Sequence, residues 1–156
     1  MTTSTKSFEL LDADLEKKVR ASFSRQGLMK LLGAEISHLE PGLCEIRAPF
    51  RTELSQQNGY FHAGVSGAIA DSACGYAAFS LAPKNSSVLT VEYKMNLLAP
   101  AAGSLLIARG SVIRSGKTLK ICRADVFCVK DGREEICATT LATVMILQGK
   151  PAPISG

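Results

Sequence analysis

A single carboxylate lies inside the most apolar stretch of the sequence. In FHAGVSGAIADSACGYAAF, residues 61–79, Asp71 is the one charged side chain, and no other Asp, Glu, Lys or Arg occurs between Glu53 and Lys84. Burying an unpaired carboxylate costs on the order of several kcal/mol. A capping role is disfavoured because the residue falls in the middle of a predicted helix. Acids kept in such places usually have a chemical task, so Asp71 is a candidate base or nucleophile.

The start of the same stretch offers a complementary group. His62, Ala63 and Gly64 precede or open the predicted helix, where backbone N–H groups lack intrahelical partners and the helix dipole is positive. Such a position suits the developing oxyanion of an attacked carbonyl, and the small side chains of Ala63 and Gly64 would let a carbonyl approach. His62 could act by positioning, through a ring hydrogen bond, or by direct proton transfer, and the sequence leaves both roles open.

The spacing keeps these two groups apart within one chain. His62 and Asp71 are nine positions apart, which corresponds to about 13 Å along a helix and about half a turn around it. One chain therefore cannot bring both groups to the same reacting atom. If two copies of the helix pack antiparallel about a twofold axis, the start of one approaches the middle of the other. We therefore predict a homodimer with two composite sites, each sharing an oxyanion pocket and an acid between subunits.

Two helices are predicted. Residues 64–81 are apolar on every side and rich in Gly and Ala, which favours a helix surrounded by other elements, and Pro83 should end it. Near the N-terminus, apolar residues at a spacing of four predict a second helix over residues 11–26: Leu11, Leu15, Val19 and Phe23. Gly27 is expected to end that helix.

Alternating apolar and polar residues predict strands in the rest of the chain. AEISHLE and LCEIRAPF, joined by the turn signal Pro41–Gly42, form a predicted hairpin. Four further strands are expected as a meander, with a hairpin about Ser115–Gly116. In VLTVEYKMNL one face is apolar: Val91, Tyr93, Met95 and Leu97. The predicted fold class is α+β, with a mostly antiparallel sheet curled around the central helix and an additional N-terminal helix.

The composition is that of one ordinary globular domain. A chain of 156 residues fits a single domain, residues 1–156, with a core at about 30–147 and a C-terminal tail at 148–156. The net charge of +4 comes without basic runs, so neither nucleic acid nor a membrane is an expected partner. Five cysteines without a CxxC pair predict buried thiols, not disulfides or a metal site. With no signal-peptide pattern at the start, we expect a cytoplasmic protein.

The segment QQNGYFHAGVSGAIADSACGYAA resembles the hot-dog-fold acyl-CoA thioesterases, specifically the phenylacetate-degradation (PaaI-like) group. Those proteins carry an amide residue, then G-x-x-H-G-G, then an Asp nine positions after the His. Gln56, Gly59 and Asp71 keep these spacings from His62. The likeness covers roughly residues 30–147 and implies a hot-dog fold. Ala63 replaces the usual first Gly, which bears on the choice of oxyanion donor and of acyl group.

The resemblance implies a role for each matched residue. Ala63, together with Gly64, would donate a backbone N–H to the thioester carbonyl. Asp71 of the opposite subunit would act as general base or nucleophile, and Gln56 would help to place water. Hydrolysis of a thioester needs only water, a base and an oxyanion site, so no metal and no cofactor is expected.

The resemblance also implies how the substrate is held. Thr90 falls where some members have a Ser or Thr near the acid. CoA phosphates would lie near the basic hairpin residues Arg114 and Lys117, for which an exposed turn is an equally good interpretation. The implied partner is an acyl-CoA substrate, its acyl group left open between aromatic, medium and long. We expect a homodimer and favour a homotetramer built as a dimer of dimers.

Two other functions stay open at this point. A dehydratase or hydratase on the same fold also combines a carboxylate and an imidazole across a dimer interface, although its motif has a Pro-rich turn that HAGVSG lacks. A non-catalytic acyl-CoA-binding protein could dispense with the acid, so Asp71 counts against that function. The spacing of Gln56, His62 and Asp71 favours hydrolysis.

Overall fold

The computed structural model describes residues 14–149, which form one six-stranded sheet wrapped around a long helix. The helices are α1 (Leu15–Phe23), α2 (Gly27–Leu32) and α3 (Ala63–Ser80), with a short 3-10 turn at Thr52–Leu54. The strands are β1 (Glu35–Glu40), β2 (Leu43–Pro49), β3 (Ser86–Leu97), β4 (Leu105–Ser115), β5 (Leu119–Lys130) and β6 (Arg133–Gln148). This architecture confirms the predicted α+β hot-dog fold.

Helix α3 lies in the middle of the curled sheet, and its observed bounds agree with the prediction to one residue at each end. Most of its side chains are small. A Cβ atom on Gly110 of β4 would lie 2.5 Å from the carbonyl carbon of Ala73, so this close approach requires glycine. Although α3 is apolar, neither it nor another helix within residues 14–149 is long and apolar enough to cross a membrane.

The N-terminal helix differs from the prediction. The chain forms α1 and then a separate α2, because Gln26 has an extended backbone (ψ 107°) between them. Gly27 opens α2 instead of ending a helix, and Gly33 ends α2 in the left-handed conformation (φ 64°). The short helix buries Met29 in the core, which explains why the chain bends here. Residues 11–13 of the predicted helix lie outside the described residues.

The strands are antiparallel, in the order β1-β2-β4-β5-β6-β3. Both predicted hairpins are confirmed, but the predicted meander is wrong. Strand β3 pairs with β6 instead of β4, from Ser86 opposite Gln148 to Leu97 opposite Ala138. The helix that precedes β3 carries the chain across the sheet to its far edge. The domain limits 1–156 stay a prediction because residues 1–13 and 150–156 lie outside the described part.

The edge formed by β3 is apolar and open. Four of its large apolar side chains are between about half and two thirds exposed: Leu89 (59 %), Val91 (54 %), Tyr93 (49 %) and Leu97 (61 %). Edge strands of stable monomers are usually short, charged or covered, since their free backbone groups pair readily with another chain. Of the apolar face predicted for this strand, Met95 packs against the core, whereas Val91, Tyr93 and Leu97 are left exposed by their own chain.

All five cysteines are free and buried, as predicted. Burial raises the pKa of the Cys44 and Cys122 thiols to about 12, and that of Cys137 to about 11. These groups therefore stay protonated near neutral pH and pack as small apolar side chains.

Lys120 is a charged residue on the buried side of β5. It is 4 % exposed, and its Nζ donates to Ser115 Oγ at 2.6 Å and to the Gly116 carbonyl at 3.4 Å. Burial lowers its pKa below the ordinary 10.5 because the charged form loses hydration. Between the lowered pKa and 10.5 the unfolded state binds this proton more tightly than the folded state, so the contribution of Lys120 to stability rises with pH.

We expect Lys120→Met to raise Tm at pH 7 by about 2–4 °C, equivalent to about 1 kcal/mol, because an apolar side chain removes the cost of burying a charge. The gain should shrink at pH 10.5, the ordinary pKa of lysine, because a lowered pKa leaves the wild-type amine mostly neutral there. Thermal denaturation at both pH values measures the effect, with the exposed Lys130 of the same strand as the control, Lys130→Met. A lower Tm for Lys120→Met at pH 7 would contradict this reasoning.

Candidate active site

The loop before α3 is held by backbone hydrogen bonds. The Gln56 N–H donates to the Tyr60 carbonyl at 2.8 Å, and the Gly59 N–H donates to the Gln56 carbonyl at 3.0 Å. Gly59 has φ 79°, a conformation that glycine adopts without strain. The His62 N–H donates to the Leu54 carbonyl at 2.9 Å. This tight turn fixes Gln56 beside the start of the helix.

His62 caps α3. Its backbone is extended (φ −64°, ψ 138°), and its ring Nδ1 accepts a hydrogen bond from the Gly64 N–H at 2.9 Å. A Cβ atom on residue 64 would lie 2.9 Å from that Nδ1, so the ring position requires glycine there. When the ring is neutral, its proton is on Nε2. The ring therefore makes a hydrogen bond that holds it in place, although to an N–H and not to a carbonyl, and both predicted roles of His62 stay predictions.

The hydrogen bond between His62 and Gly64 determines which of the two predicted oxyanion donors, the Ala63 N–H or the Gly64 N–H, is free to bind a substrate. Because the Gly64 N–H is bonded to His62, it is not free to bind a carbonyl oxygen. The Ala63 N–H has no acceptor among residues 14–149 and is the first free donor of the helix. Ala63 is in the helix with a negative φ, so its methyl group causes no backbone strain.

A cavity of about 570 Å³ opens at this point, and we call it the helix-start cavity. Its lining includes Gln56, His62, Ala63, Ser66, Leu97, Leu98 and Cys137. The structure thus brings together three of the predicted site residues. Gln56 Oε1 accepts a hydrogen bond from the Asn58 N–H, which leaves its Nε2 to contact water or substrate.

Asp71 lies in a second cavity of about 450 Å³, the Asp71 cavity. The Thr90 Oγ1–H donates to Asp71 Oδ1 at 2.7 Å, so the structure pairs two residues that the sequence linked only by resemblance. The carboxylate is half-buried and has a partner in its own chain, contrary to the impression of isolation that the sequence gives. A hydroxyl partner carries no charge, so Asp71 can still accept a proton in a reaction.

The wall of the Asp71 cavity includes a polar cluster that the sequence did not reveal. The Tyr76 hydroxyl accepts from Gln26 Nε2 at 2.9 Å and lies 3.4 Å from Ser22 Oγ. Ser72 Oγ donates to Gln26 Oε1 at 3.4 Å. Burial raises the pKa of Tyr76, which keeps the phenol neutral. The cluster ties the junction of α1 and α2 to α3, a contact between distant residues that leaves no periodic signal.

The two cavities are separate within one chain. They share no lining residue, and nine helical positions place Asp71 about 13 Å along the axis from His62. The predicted acid and the predicted oxyanion donor thus stay apart, as their spacing requires. Strand β3 reaches both cavities, because Leu89 and Thr90 line the Asp71 cavity and Leu97 lines the helix-start cavity.

The basic residues predicted to contact CoA lie elsewhere. Arg114 is in β4 and Lys117 is in the turn before β5, and both are exposed. Neither lines the helix-start cavity or the Asp71 cavity, so their role stays a prediction. Within residues 14–149, no three His, Cys, Asp or Glu side chains are grouped as a metal site would need.

Comparison with solved structures identifies the class of protein. A thioesterase family protein from Silicibacter pomeroyi is 46% identical over 86% of this chain and 99% of its own, with a TM-score of 0.85. The PaaI protein of E. coli, from the phenylacetic acid degradation operon, covers 91% of this chain and 99% of its own with a TM-score of 0.79. At 17% identity the second likeness shows the fold alone. Both confirm that this chain is a hot-dog-fold protein.

The family follows from the sequence comparison. Residues 58–135, half of the chain, match the model of the Thioesterase superfamily, and the chain belongs to that family. It is a thioester hydrolase. A curated relative, the 1,4-dihydroxy-2-naphthoyl-CoA hydrolase of Listeria monocytogenes, is 25% identical over 77% of this chain and 95% of its own length. Hydrolysis is therefore better supported than the dehydratase or the non-catalytic binding function.

Proposed function

We propose that the protein hydrolyses acyl-CoA thioesters at sites built across a homodimer interface. This proposal depends on one observation: residues of β3 line both the Asp71 cavity and the helix-start cavity. If two β3 edges pair antiparallel about a twofold axis, the N-terminal half of one lies beside the C-terminal end of the other. Each Asp71 cavity then faces the helix-start cavity of the second subunit.

The exposed apolar side chains of β3 support this interface. Leu89, Val91 and Tyr93 are each about half exposed or more in the single chain, and covering apolar surface is favourable by about 25 cal/mol per Å². A second copy of the strand would also satisfy the free backbone groups of the edge. Further exposed apolar side chains on β4 and β6, such as Ile113 and Leu141, offer surface for the dimer of dimers that we also propose.

In the proposed reaction the thioester carbonyl oxygen accepts a hydrogen bond from the Ala63 N–H. Asp71 of the partner subunit takes a proton from water while the water oxygen attacks the carbonyl carbon. The C–S bond then breaks, the proton passes to the leaving sulfur, and the products are the free acid and CoA. Thr90 holds one carboxylate oxygen of Asp71 and leaves the other for the proton. Direct attack by Asp71, followed by hydrolysis of the anhydride, is the second mechanism compatible with this geometry.

A third cavity offers space for the acyl group. It has a volume of about 300 Å³, and it shares His62 with the helix-start cavity and Leu28 and Ala68 with the Asp71 cavity. Most of its lining is apolar, including Leu54 and Val65, and such a lining favours a hydrocarbon or aromatic group. We propose that the acyl group lies along this side of α3.

Release of free thiol from a panel of aromatic, medium-chain and long-chain acyl-CoAs tests the function. We expect turnover of at least one class, at about 1–10³ per second for an enzyme acting on its own substrate. The buried cysteines should contribute little background to a thiol reagent in the native protein. Absence of thiol release from every acyl-CoA would contradict the proposal, and hydration of an enoyl-CoA without thiol release would favour the dehydratase.

A further inference from the structure

One hydroxyl at the helix-start cavity has no partner in the described chain. Ser66 is 2 % exposed and lines this cavity together with Ala63 and Gln56. Its Oγ makes no hydrogen bond to any group within residues 14–149. The fully enclosed and unpaired hydroxyls within these residues are those of Ser86 and Thr140, so the Ser66 Oγ keeps contact with the cavity. A hydroxyl that is open to a cavity and unpaired within the chain is available to bind a group that enters the cavity.

The other serines of α3 show the contrast. Ser72 donates to Gln26 Oε1 at 3.4 Å. Ser80 donates to the Ala77 carbonyl at 2.7 Å and accepts from the Gly42 N–H at 2.7 Å. These two side chains serve packing between elements. Ser66 differs from both in facing a cavity without a partner in the described chain.

The direction of the side chain connects Ser66 to the oxyanion donor. Side chains of a helix lean toward its N-terminus and cover the preceding turn. Ser66 is three positions after Ala63, so its Cα–Cβ bond is directed toward the turn in which the free Ala63 N–H lies. The next backbone donor, the Gly64 N–H, is already bonded to His62. The helix start therefore offers one backbone N–H and one hydroxyl to a substrate oxygen.

We propose that Ser66 is a second oxyanion donor and thus a catalytic residue. Its Oγ–H donates a hydrogen bond to the thioester carbonyl oxygen as negative charge develops there, beside the bond from the Ala63 N–H. The serine keeps its proton and forms no covalent bond. This inference rests on the proposed thioester hydrolysis. It gives the oxyanion site a second donor, a role that the Gly64 N–H cannot take because it is bonded to His62.

Kinetics of Ser66→Ala test the proposal. We expect kcat to fall by about 10–10³-fold, with KM changed by less than about threefold, because the hydrogen bond strengthens only in the transition state. Tm should be unchanged or higher, since alanine favours the helix and no native hydrogen bond is lost. The matched control is Ser80→Ala, which removes two hydrogen bonds far from the reaction and should lower Tm while leaving kcat at the wild-type value.

Each other outcome overturns the role of Ser66. An unchanged kcat, a rise in KM alone, or a loss of activity that accompanies a lower Tm would show that Ser66 is not an oxyanion donor. In these cases the wild-type protein still releases thiol, so the proposed function stands. If the wild-type protein cleaves no acyl-CoA, the proposed function fails and the inference fails with it.

Discussion

Asp71→Asn is expected to lower kcat for acyl-CoA hydrolysis by about 10²–10⁴-fold, the range typical of a lost general base. Asparagine keeps the shape of the side chain but cannot take a proton from water. Its Oδ1 can still accept the hydrogen bond that Thr90 donates to Asp71 at 2.7 Å, so the fold and the oligomer should persist. Thiol release measures the activity, and light scattering after gel filtration measures the oligomeric state.

Asp125 provides a matched control for this substitution. It is another half-buried carboxylate that accepts a threonine hydroxyl, from Thr139 at 2.6 Å, and it lines neither the helix-start cavity nor the Asp71 cavity. Asp125→Asn should therefore leave kcat close to the wild-type value. Wild-type turnover by Asp71→Asn would show that Asp71 neither accepts the proton nor attacks the substrate.

Ala63→Pro is expected to lower kcat by about 10²–10³-fold, because proline lacks the N–H that we assign to the oxyanion. The position tolerates proline for two reasons. Proline is favoured as the first residue of a helix, and α3 begins at Ala63. The residue before a proline must be extended, and His62 already has φ −64° and ψ 138°. Tm should thus change by only a few degrees, and steady-state kinetics with thermal denaturation check both expectations.

Ala63→Gly distinguishes the contribution of the backbone N–H to catalysis from that of the side-chain methyl group. Glycine keeps the N–H and restores the residue that the related motif usually carries, so kcat should stay within about tenfold of the wild-type value. If Ala63→Gly loses as much activity as Ala63→Pro, the loss does not come from the missing N–H, and the oxyanion assignment is wrong.

The local features of the fold could be predicted from the sequence. Pro41–Gly42 and Ser115–Gly116 predicted turns, and both hairpins form there. The run of small apolar residues predicted α3 to within one residue at each end. Strand alternation shows which residues share a face but not which strand is the neighbour, so the pairing of β3 with β6 was missed. The chain bends at Gln26 because the separate helix α2 buries apolar side chains in the core. This gain comes from tertiary packing, which the spacing of apolar residues along the sequence does not show.

The candidate site was predicted only in part, for physical reasons. The spacing of Gln56, His62 and Asp71 marked them as candidate site residues, and the spacing of His62 and Asp71 predicted a site shared between two chains, which stays a prediction. The loss of Gly64 as a donor depends on the rotation of the His62 ring, which sequence does not fix. Ser66 is one more small residue in a helix full of them, although its position four residues after His62 places it on the same face.

The central claim is that each site is shared between two subunits. Mixed oligomers of two chains that carry different substitutions test this claim directly. When Asp71→Asn and Ala63→Pro chains are co-expressed in equal amounts and pair at random, about a quarter of the composite sites combine an intact Ala63 from one chain with an intact Asp71 from the other. We therefore predict about a quarter of the wild-type kcat, far above that of either variant alone. Activity no greater than the average of the two variants, in a mixture shown to contain mixed oligomers, would contradict the shared site.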